Sequence, residues 1–199
     1  VRIDVRSNLT AVKADLDKLE KNIQERAIAR ALNRTAESGR TQMNRGIAQE
    51  FNVKQADVRS QIALKKAREG SGTAFLTAVI EALRGKRGRG INVIRFMERK
   101  VSLTQQRKRI RSGDRQLHFK IRRSGGQKII QGAFIGNKGR TVFKRVGRDR
   151  LPIKPVSTID VAQMFNTRRI NSKVVAHIEA QFPIIMQREV KFYVERFGK

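Results

Sequence analysis

GAFIGNKGRTVFKRVGRDRLPIKP, residues 132–155, decides how the chain is read. Short apolar runs alternate with glycine-bearing turns, and two prolines close the stretch. This pattern predicts β structure over 128–135, 141–146 and 151–157, with Gly-Asn-Lys-Gly at 136–139 as the hairpin between the first two. Pro152 and Pro155 mark the last strand as an edge or terminal one. Immediately upstream, Leu117, Phe119 and Ile121 alternate with His118, Lys120 and Arg122, so 117–122 reads as a half-buried strand with a basic outer face. Ser124-Gly125-Gly126 turns it. Four such strands make an antiparallel meander, and barrel-like closure is left open. Phe119, Phe134 and Phe143 lie on it among apolar neighbours, and packing in the core is favoured over a base-stacking platform.

Outward from the meander the period changes. Val12, Leu16, Leu19, Ile23 and Ala27 recur at helical spacing. Ile28, Leu32, Ala36, Gly39, Met43, Ile47 and Phe51 continue in a shifted register. One long helix is expected over 12–51, with a bend at Ala27–Ile28 or a break near Gly39 or Gly46. Gly39 is a candidate for a kink or a close contact. Asn52 is the expected N-cap of a short helix ending near Ile62. Strands are predicted over 62–66 and 73–80, joined by a turn at 69–72, and a further strand over 91–97. Residues 84–90 and 100–116 read as basic loops or an arm. Thr158 is expected to cap a short helix through Phe165. A long helix from about Ser172 carries the stripe Val175, Ile178, Phe182, Met186, Val190, Tyr193 and Phe197. It runs through Pro183, where a kink is expected. The resulting class is α+β: a long N-terminal helix, a central antiparallel β-sheet with basic loops, and a long C-terminal helix. The 199 residues read as one domain, with segments 1–62, 63–157 and 158–199.

Composition limits the function. There are 45 Lys+Arg against 17 Asp+Glu, a net charge of +28. Such an imbalance opposes compaction and calls for a polyanionic partner. Charge is concentrated between residues 84 and 150, where 22 basic residues face three acids, Glu98, Asp114 and Asp149. Candidate nucleic-acid contacts follow from the runs there: Arg84, Lys86, Arg87 and Arg89 in the glycine-rich loop, Arg107, Lys108, Arg109, Arg111 and Arg115 in the arm, and Arg122 and Arg123 on the strand. Contact of this kind is attraction to phosphate, sensitive to salt and indifferent to sequence. No recognition-helix pattern with base-reading residues is found.

The chemistry of catalysis is missing from the pattern. The chain has no Cys, which excludes disulfides, thiolate nucleophiles and Cys-based zinc sites. His118 and His177 read as surface or rim residues and form no metal-binding pair. The three acids of the basic segment are scattered, and Glu98 and Asp149 sit beside arginines, which favours ion pairing over a nuclease centre. Gly-Lys-Arg-Gly-Arg-Gly at 85–90 lacks the spacing of a phosphate-binding P-loop. We therefore expect no enzyme, no cofactor and no metal. No apolar run reaches the length of a membrane span, and no secretory leader is read.

Several short motifs, taken in order, resemble one family. They are Gly132–Ile135 (GAFI), Val142–Arg145 (VFKR) and Arg150–Pro155 (RLPIKP), preceded by ALNRTAESGRT at 31–41, VKQADVRSQIALKKA at 53–67 and NVIRF at 92–96, and followed by Phe182-Pro183. Over about residues 11–197 the chain resembles the minor tail protein Z family of tailed bacteriophages. The family's usual Pro before Gly-Ala-Phe-Ile is Gln131 here, which leaves a backbone donor at that position. The resemblance implies a structural virion protein, assembled in the host cytoplasm, that completes the head-proximal end of the tail for head joining and DNA placement. It implies neighbours such as the tail terminator, tail tube, tape measure or head connector. It also implies a homo-oligomeric ring, with a hexamer as one form, around nonspecifically contacted double-stranded DNA. Met186, Val190, Tyr193 and Phe197 are the candidate interface residues. The reading from charge alone is different: a free cytosolic protein that binds nucleic acid nonspecifically.

Overall fold

The computed structural model describes residues 10–17, 19–68, 76–83, 90–97, 104, 108 and 117–197. The helices whose bounds fall within the described residues are α1 (Thr10–Leu16), α2 (Lys21–Glu50), α3 (Gln55–Arg59), α4 (Val161–Phe165) and α5 (Arg168–Phe197). Its strands are β1 (Ile62–Lys65), β2 (Val79–Ala82), β3 (His118–Phe119), β4 (Lys128–Ile129), β5 (Ala133–Gly136), β6 (Thr141–Arg145) and β7 (Ile153–Pro155). The α+β architecture is as expected. Among the described residues there is no closed barrel: the sheets are two hairpins, β1-β2 and β3-β4, and the three-stranded β5-β6-β7. The chain forms two compact units that interleave along the sequence. The first comprises 1–46, 59–83 and 165–199; the second comprises 47–58 and 84–164.

In the first unit, the expected N-terminal helix breaks earlier than its apolar register suggested. The interruption falls at 17–20, and α2 continues through Ala27-Ile28, Gly39 and Gly46. Leu19 lies buried in this link, and the Gln24 side chain donates to its carbonyl at 2.8 Å, occupying an acceptor at the helix junction. The core joins Val12 of α1 and Ala27 and Ala31 of α2 to Phe182, Met186 and Val190 of α5. Small residues at the α2 positions let the helices approach closely. A Cβ on Gly39 would lie 2.7 Å from Ile178 Cδ1, and one on Gly46 would lie 3.1 Å from Ile170 Cγ2. Gly39 is thus a point of close packing inside a continuous helix.

Polar contacts fix the same unit. Glu189, buried on α5, meets Arg30 Nε at 3.1 Å and the Arg34 guanidinium, one helical turn apart on α2. A hydrogen bond with Tyr193, and then the charge of Glu189, hold the Arg30 guanidinium above its ordinary pKa. Asn33 imitates a strand partner: its amide donates to Ala67 O at 3.0 Å, and its oxygen accepts from Ala67 N at 2.7 Å. This anchors the chain just beyond β1, whose register with β2 pairs Leu64 with Ile80. β2 therefore begins six residues later than the predicted strand, and the turn expected at 69–72 lies outside the described residues.

In the second unit, the core face is Val93, Leu117, Phe119, Ala133, Ile135 and Val142. The segment 91–97, expected to be a strand, instead turns into a 3₁₀ helix at Val93–Phe96. Asn92 is the cause. Its side-chain oxygen accepts from Ile94 N at 3.1 Å and Val142 N at 3.0 Å, and its amide donates to Val142 O at 3.1 Å. One residue thereby caps the turn and pairs with β6. The 3₁₀ period then puts Val93 and Phe96 on one side, both buried.

The predicted strand 128–135 is divided by a turn. Ala133 N–H donates to Ile130 O at 3.2 Å, and Gly132 has φ +70°, a conformation glycine adopts without cost. The meander is accordingly three strands, with β3-β4 as a separate hairpin. The β5-β6 connection is a 3₁₀ turn at Asn137–Gly139. α4 is capped by Asp160, not Thr158. Asp160 Oδ1 accepts from Gln163 N at 2.7 Å while Gln163 Oε1 accepts from Asp160 N at 3.1 Å, a reciprocal capping box. α5 starts at Arg168, before the expected Ser172, and includes Pro183.

Register separates the two faces of the three-stranded sheet. Ala133 opposes Lys144, Ile135 opposes Val142, and the buried members of that set face the core. Phe134 opposes Phe143, and Phe143 opposes Pro155, on the other face. The expectation that Phe119, Phe134 and Phe143 all pack in the core therefore holds for Phe119 alone, which is 1% exposed.

Candidate nucleic-acid interface

The second unit holds 24 basic and six acidic residues, and the first holds 21 and 11. Its net charge of +18 makes it the place to look for a polyanion site. Of the predicted contacts, Arg84, Lys86, Arg87, Arg89, Arg107, Arg109, Arg111 and Arg115 lie outside the described residues. Lys108 is exposed. Arg122 and Arg123 are placed by the end of α2. Arg123 N–H donates to Glu50 O at 2.9 Å, and its Nε donates to Ala48 O at 2.8 Å. Helix-terminal carbonyls lack intrahelical donors and carry partial negative charge, so an arginine is a natural cap there. Arg122 bridges to Phe51 through the backbone, and its guanidinium lies 5.7 Å from the Phe51 ring centroid. Both arginines have structural work within the unit while their side chains reach solvent.

Two open clefts adjoin this corner. One, of about 740 Å³, is lined by Lys54, Arg95 and Arg123 with the amides of Gln49, Asn52 and Gln55. The other, of about 430 Å³, is lined by Lys54, Asp57, Arg95 and Arg140 with apolar Ile94, Met97 and Ile135. Lys54 stands at the N-cap position of α3: its carbonyl accepts from Asp57 N at 3.0 Å and Val58 N at 3.3 Å. Asn52, the expected cap, is used elsewhere: its side-chain amide donates to Phe96 O at 3.4 Å and its backbone N–H to Ile121 O at 2.9 Å. Arg95 projects from the 3₁₀ turn and pairs with Asp57.

Lys54, Arg95 and Arg140 escaped sequence reasoning because each is isolated from the charge runs. The fold gathers them from positions 54, 95 and 140. Cations ringed by amide donors suit phosphate oxygens. Among the described residues, no group of three or more His, Asp or Glu side chains is placed to hold a metal ion.

The histidines also find places. His118 is exposed on β3. His177 Nε2 lies 2.8 Å from Ser38 Oγ, between α5 and α2. Both residues are deep inside helices, where backbone N–H groups are committed to the helix ladder and do not form an oxyanion hole. This contact reads as a polar link between helices. No described helix is long and apolar enough to cross a membrane.

The interface candidates on α5 divide. Met186 and Val190 are buried in the first unit's own core, Tyr193 is partly buried, and Phe197 is 47% exposed. Tyr193 and Phe197 stack with ring centroids 6.0 Å apart.

Residues 8–199 match the family described as Prophage minor tail protein Z (GPZ). No curated protein and no solved structure matches the chain. With nearly its whole length matched, the chain belongs to that family of phage tail proteins.

Proposed function

We propose that this member of the minor tail protein Z family completes the head-proximal end of the phage tail, making it competent for head joining and DNA placement. In this reading the chain acts as a structural virion component in a homo-oligomeric ring. It has no catalytic role. The second unit contacts passing double-stranded DNA through phosphate, without reading sequence. The supporting observation is the charge of that unit, with Lys54, Arg95, Arg123 and Arg140 gathered around its clefts, in a chain of a tail-protein family. The candidate contacts in 84–89 and 107–115 belong to the same proposal. The first unit, built on α2 and α5, supplies the frame, with Tyr193 and Phe197 as candidate contacts to neighbouring copies.

Two measurements test this. Phage lacking the protein should assemble heads and tails but yield few infectious particles, and joined particles should be rare by electron microscopy. Normal yields of infectious particles would overturn the proposal. So would finding the protein bound to RNA in the cell and absent from virions, the behaviour of a free nucleic-acid-binding protein. For the DNA contact, replacing Arg107, Lys108, Arg109 and Arg111 by Gln should weaken binding to all duplex sequences. The salt dependence should flatten by up to about 0.9 of slope per lost phosphate contact. An unchanged slope would remove the arm from the interface.

A further inference from the structure

The outer face of the β5-β6-β7 sheet has no part in the duplex contact described above. Register puts Phe134, on edge strand β5, directly opposite Phe143, on the central strand β6. The ring centroids lie 6.1 Å apart with the planes tilted by 30°. These rings are on the face away from the core, which Ala133, Ile135 and Val142 occupy from the other side. Gly136, on the same face, leaves the flank of Phe143 uncovered by any side chain of its own: a Cβ there would sit 3.0 Å from the ring. Arg145 completes the surface. Its guanidinium lies 5.3 Å from the Phe134 centroid and is steadied by donation to the backbone carbonyl of Arg150.

Half-buried aromatic rings on a solvent-side sheet face, with a guanidinium over the Phe134 ring and none over Phe143 among the described residues, match what unpaired bases need. Each base has a π face to lay on a ring, and each following phosphate needs a cation. The surroundings are strongly cationic: residues 117–157 hold 11 basic residues and one acid. A duplex offers no base faces to such a surface, since its bases are stacked on one another. We infer that the Phe134–Phe143 face is a stacking site for unpaired nucleotides of single-stranded DNA, with Arg145 serving the adjoining phosphate. The inference rests on the reading of the second unit as a DNA-contacting surface, and it adds a ligand form that phosphate attraction alone does not distinguish.

The test uses the full chain, a 12-residue oligothymidylate and a 12-base-pair duplex, with binding followed by fluorescence anisotropy at matched salt. Phe134→Leu and Phe143→Leu keep apolar bulk but remove the planar ring. Each should weaken oligothymidylate binding about tenfold and change duplex binding by less than about twofold. Phe143→Trp supplies a second readout, since the chain has no Trp of its own. It should bind the oligonucleotide at least as well as the parent, and its indole emission should be quenched at saturation. Should the Leu variants fail to fold, the Trp variant decides alone. Undiminished oligonucleotide binding in the Leu variants, equal losses on both DNAs, or an unquenched indole would overturn the stacking site while leaving duplex contact standing. Binding of the oligonucleotide but not the duplex would support the stacking site and refute the duplex contact. Failure of the parent to bind either DNA would overturn both readings together.

Discussion

Gly39 and Gly46 lie two turns apart on α2 and both meet α5, yet alanine should act on them in opposite directions. At Gly39 the added methyl would lie 2.7 Å from Ile178 Cδ1, 2.9 Å from Ile178 Cγ1 and 3.0 Å from Ile80 Cδ1. Carbon atoms pack at about 3.5–4.0 Å, so the Ile178 and Ile80 side chains must leave their present rotamers, or the elements that carry them must retreat, by about 1 Å. Overpacking of this kind costs about 1–3 kcal/mol. Alanine returns about 1 kcal/mol of helix propensity. The net expectation for Gly39→Ala is a loss of about 1 kcal/mol, with 2 as the upper end. At Gly46 the methyl would meet Ile170 Cγ2 at 3.1 Å. A shift of a few tenths of an ångström relieves that contact, so propensity should win and Gly46→Ala should be neutral or stabilising by up to about 1 kcal/mol. Urea denaturation followed by far-ultraviolet circular dichroism measures both. Ile178→Ala supplies the control: it costs about 2–5 kcal/mol as a cavity in the parent, and less in the Gly39→Ala background, where the methyl partly fills the space. A Gly39→Ala protein at least as stable as Gly46→Ala, or additive costs in the double variant, would refute the close approach of α2 and α5 at this point.

Three further substitutions test the frame. Asn92→Ala removes three hydrogen bonds, two that tie the 3₁₀ turn to β6 and one that caps the turn; a loss of about 2–4 kcal/mol is expected by denaturation, and a loss below about 0.5 would show that Asn92 is not the staple. Gln131→Pro places proline at the second position of the turn closed by Ala133 N–H and Ile130 O, where turns with a positive φ at the third position favour it; the melting temperature should rise, by the equivalent of about 0.4–1 kcal/mol, and a fall would refute the turn geometry. Glu189→Gln leaves Arg30 and Arg34 without their shared buried carboxylate. Because both arginines are half exposed and water can resolvate them, the expected loss is about 1–3 kcal/mol, below the cost of stranding a fully buried charge, and unchanged stability in denaturation would remove the carboxylate from the α2-α5 contact.

The parts of this fold that were legible in the sequence are those held by periodicity. Met43 and Ile47 on α2, and Ile178, Phe182, Met186 and Val190 on α5, announce their helices and are all buried. The alternation of Leu117 and Phe119 marks the inward side of β3 in the same way. What escaped was set by partners remote in sequence. Asn92 turns the chain at 92–96 because Val142, 50 residues away, offers its backbone N–H and C=O to the two ends of its amide. The period of two shows that β5 has two faces, but not which one meets the core. The smaller Ala133 and Ile135 face inward because Val142 does, while the larger Phe134 and Phe143 face out. The cationic corner was missed for a related reason: Lys54, Arg95 and Arg140 are single cations that only the fold assembles.

The division of charge leads to a prediction about where DNA acts on stability. In the first unit, Glu189 pairs with Arg30 and Arg34, Glu81 with Lys65, and Glu37 with Lys66; in the second, Asp57 pairs with Arg95. The second unit has six acids for 24 basic residues, so most of its positive charge has no acid within the unit to balance it. Mutual repulsion should then weaken the second unit more than the first, and a bound polyanion should relieve it. A ligand at 100 times its dissociation constant stabilises the form that binds it by about 2.7 kcal/mol. Native-state hydrogen exchange resolves where that gain falls. With saturating duplex DNA at low salt, amides of β5 and β6 should slow by up to about a hundredfold, while amides in the middle of α2 and α5 change little. Raising the salt should abolish the difference, since released counterions drive the binding. Equal protection in both units, or protection confined to the helices, would mean that the charge of the second unit is not the DNA-binding element and answers instead to an acidic protein surface.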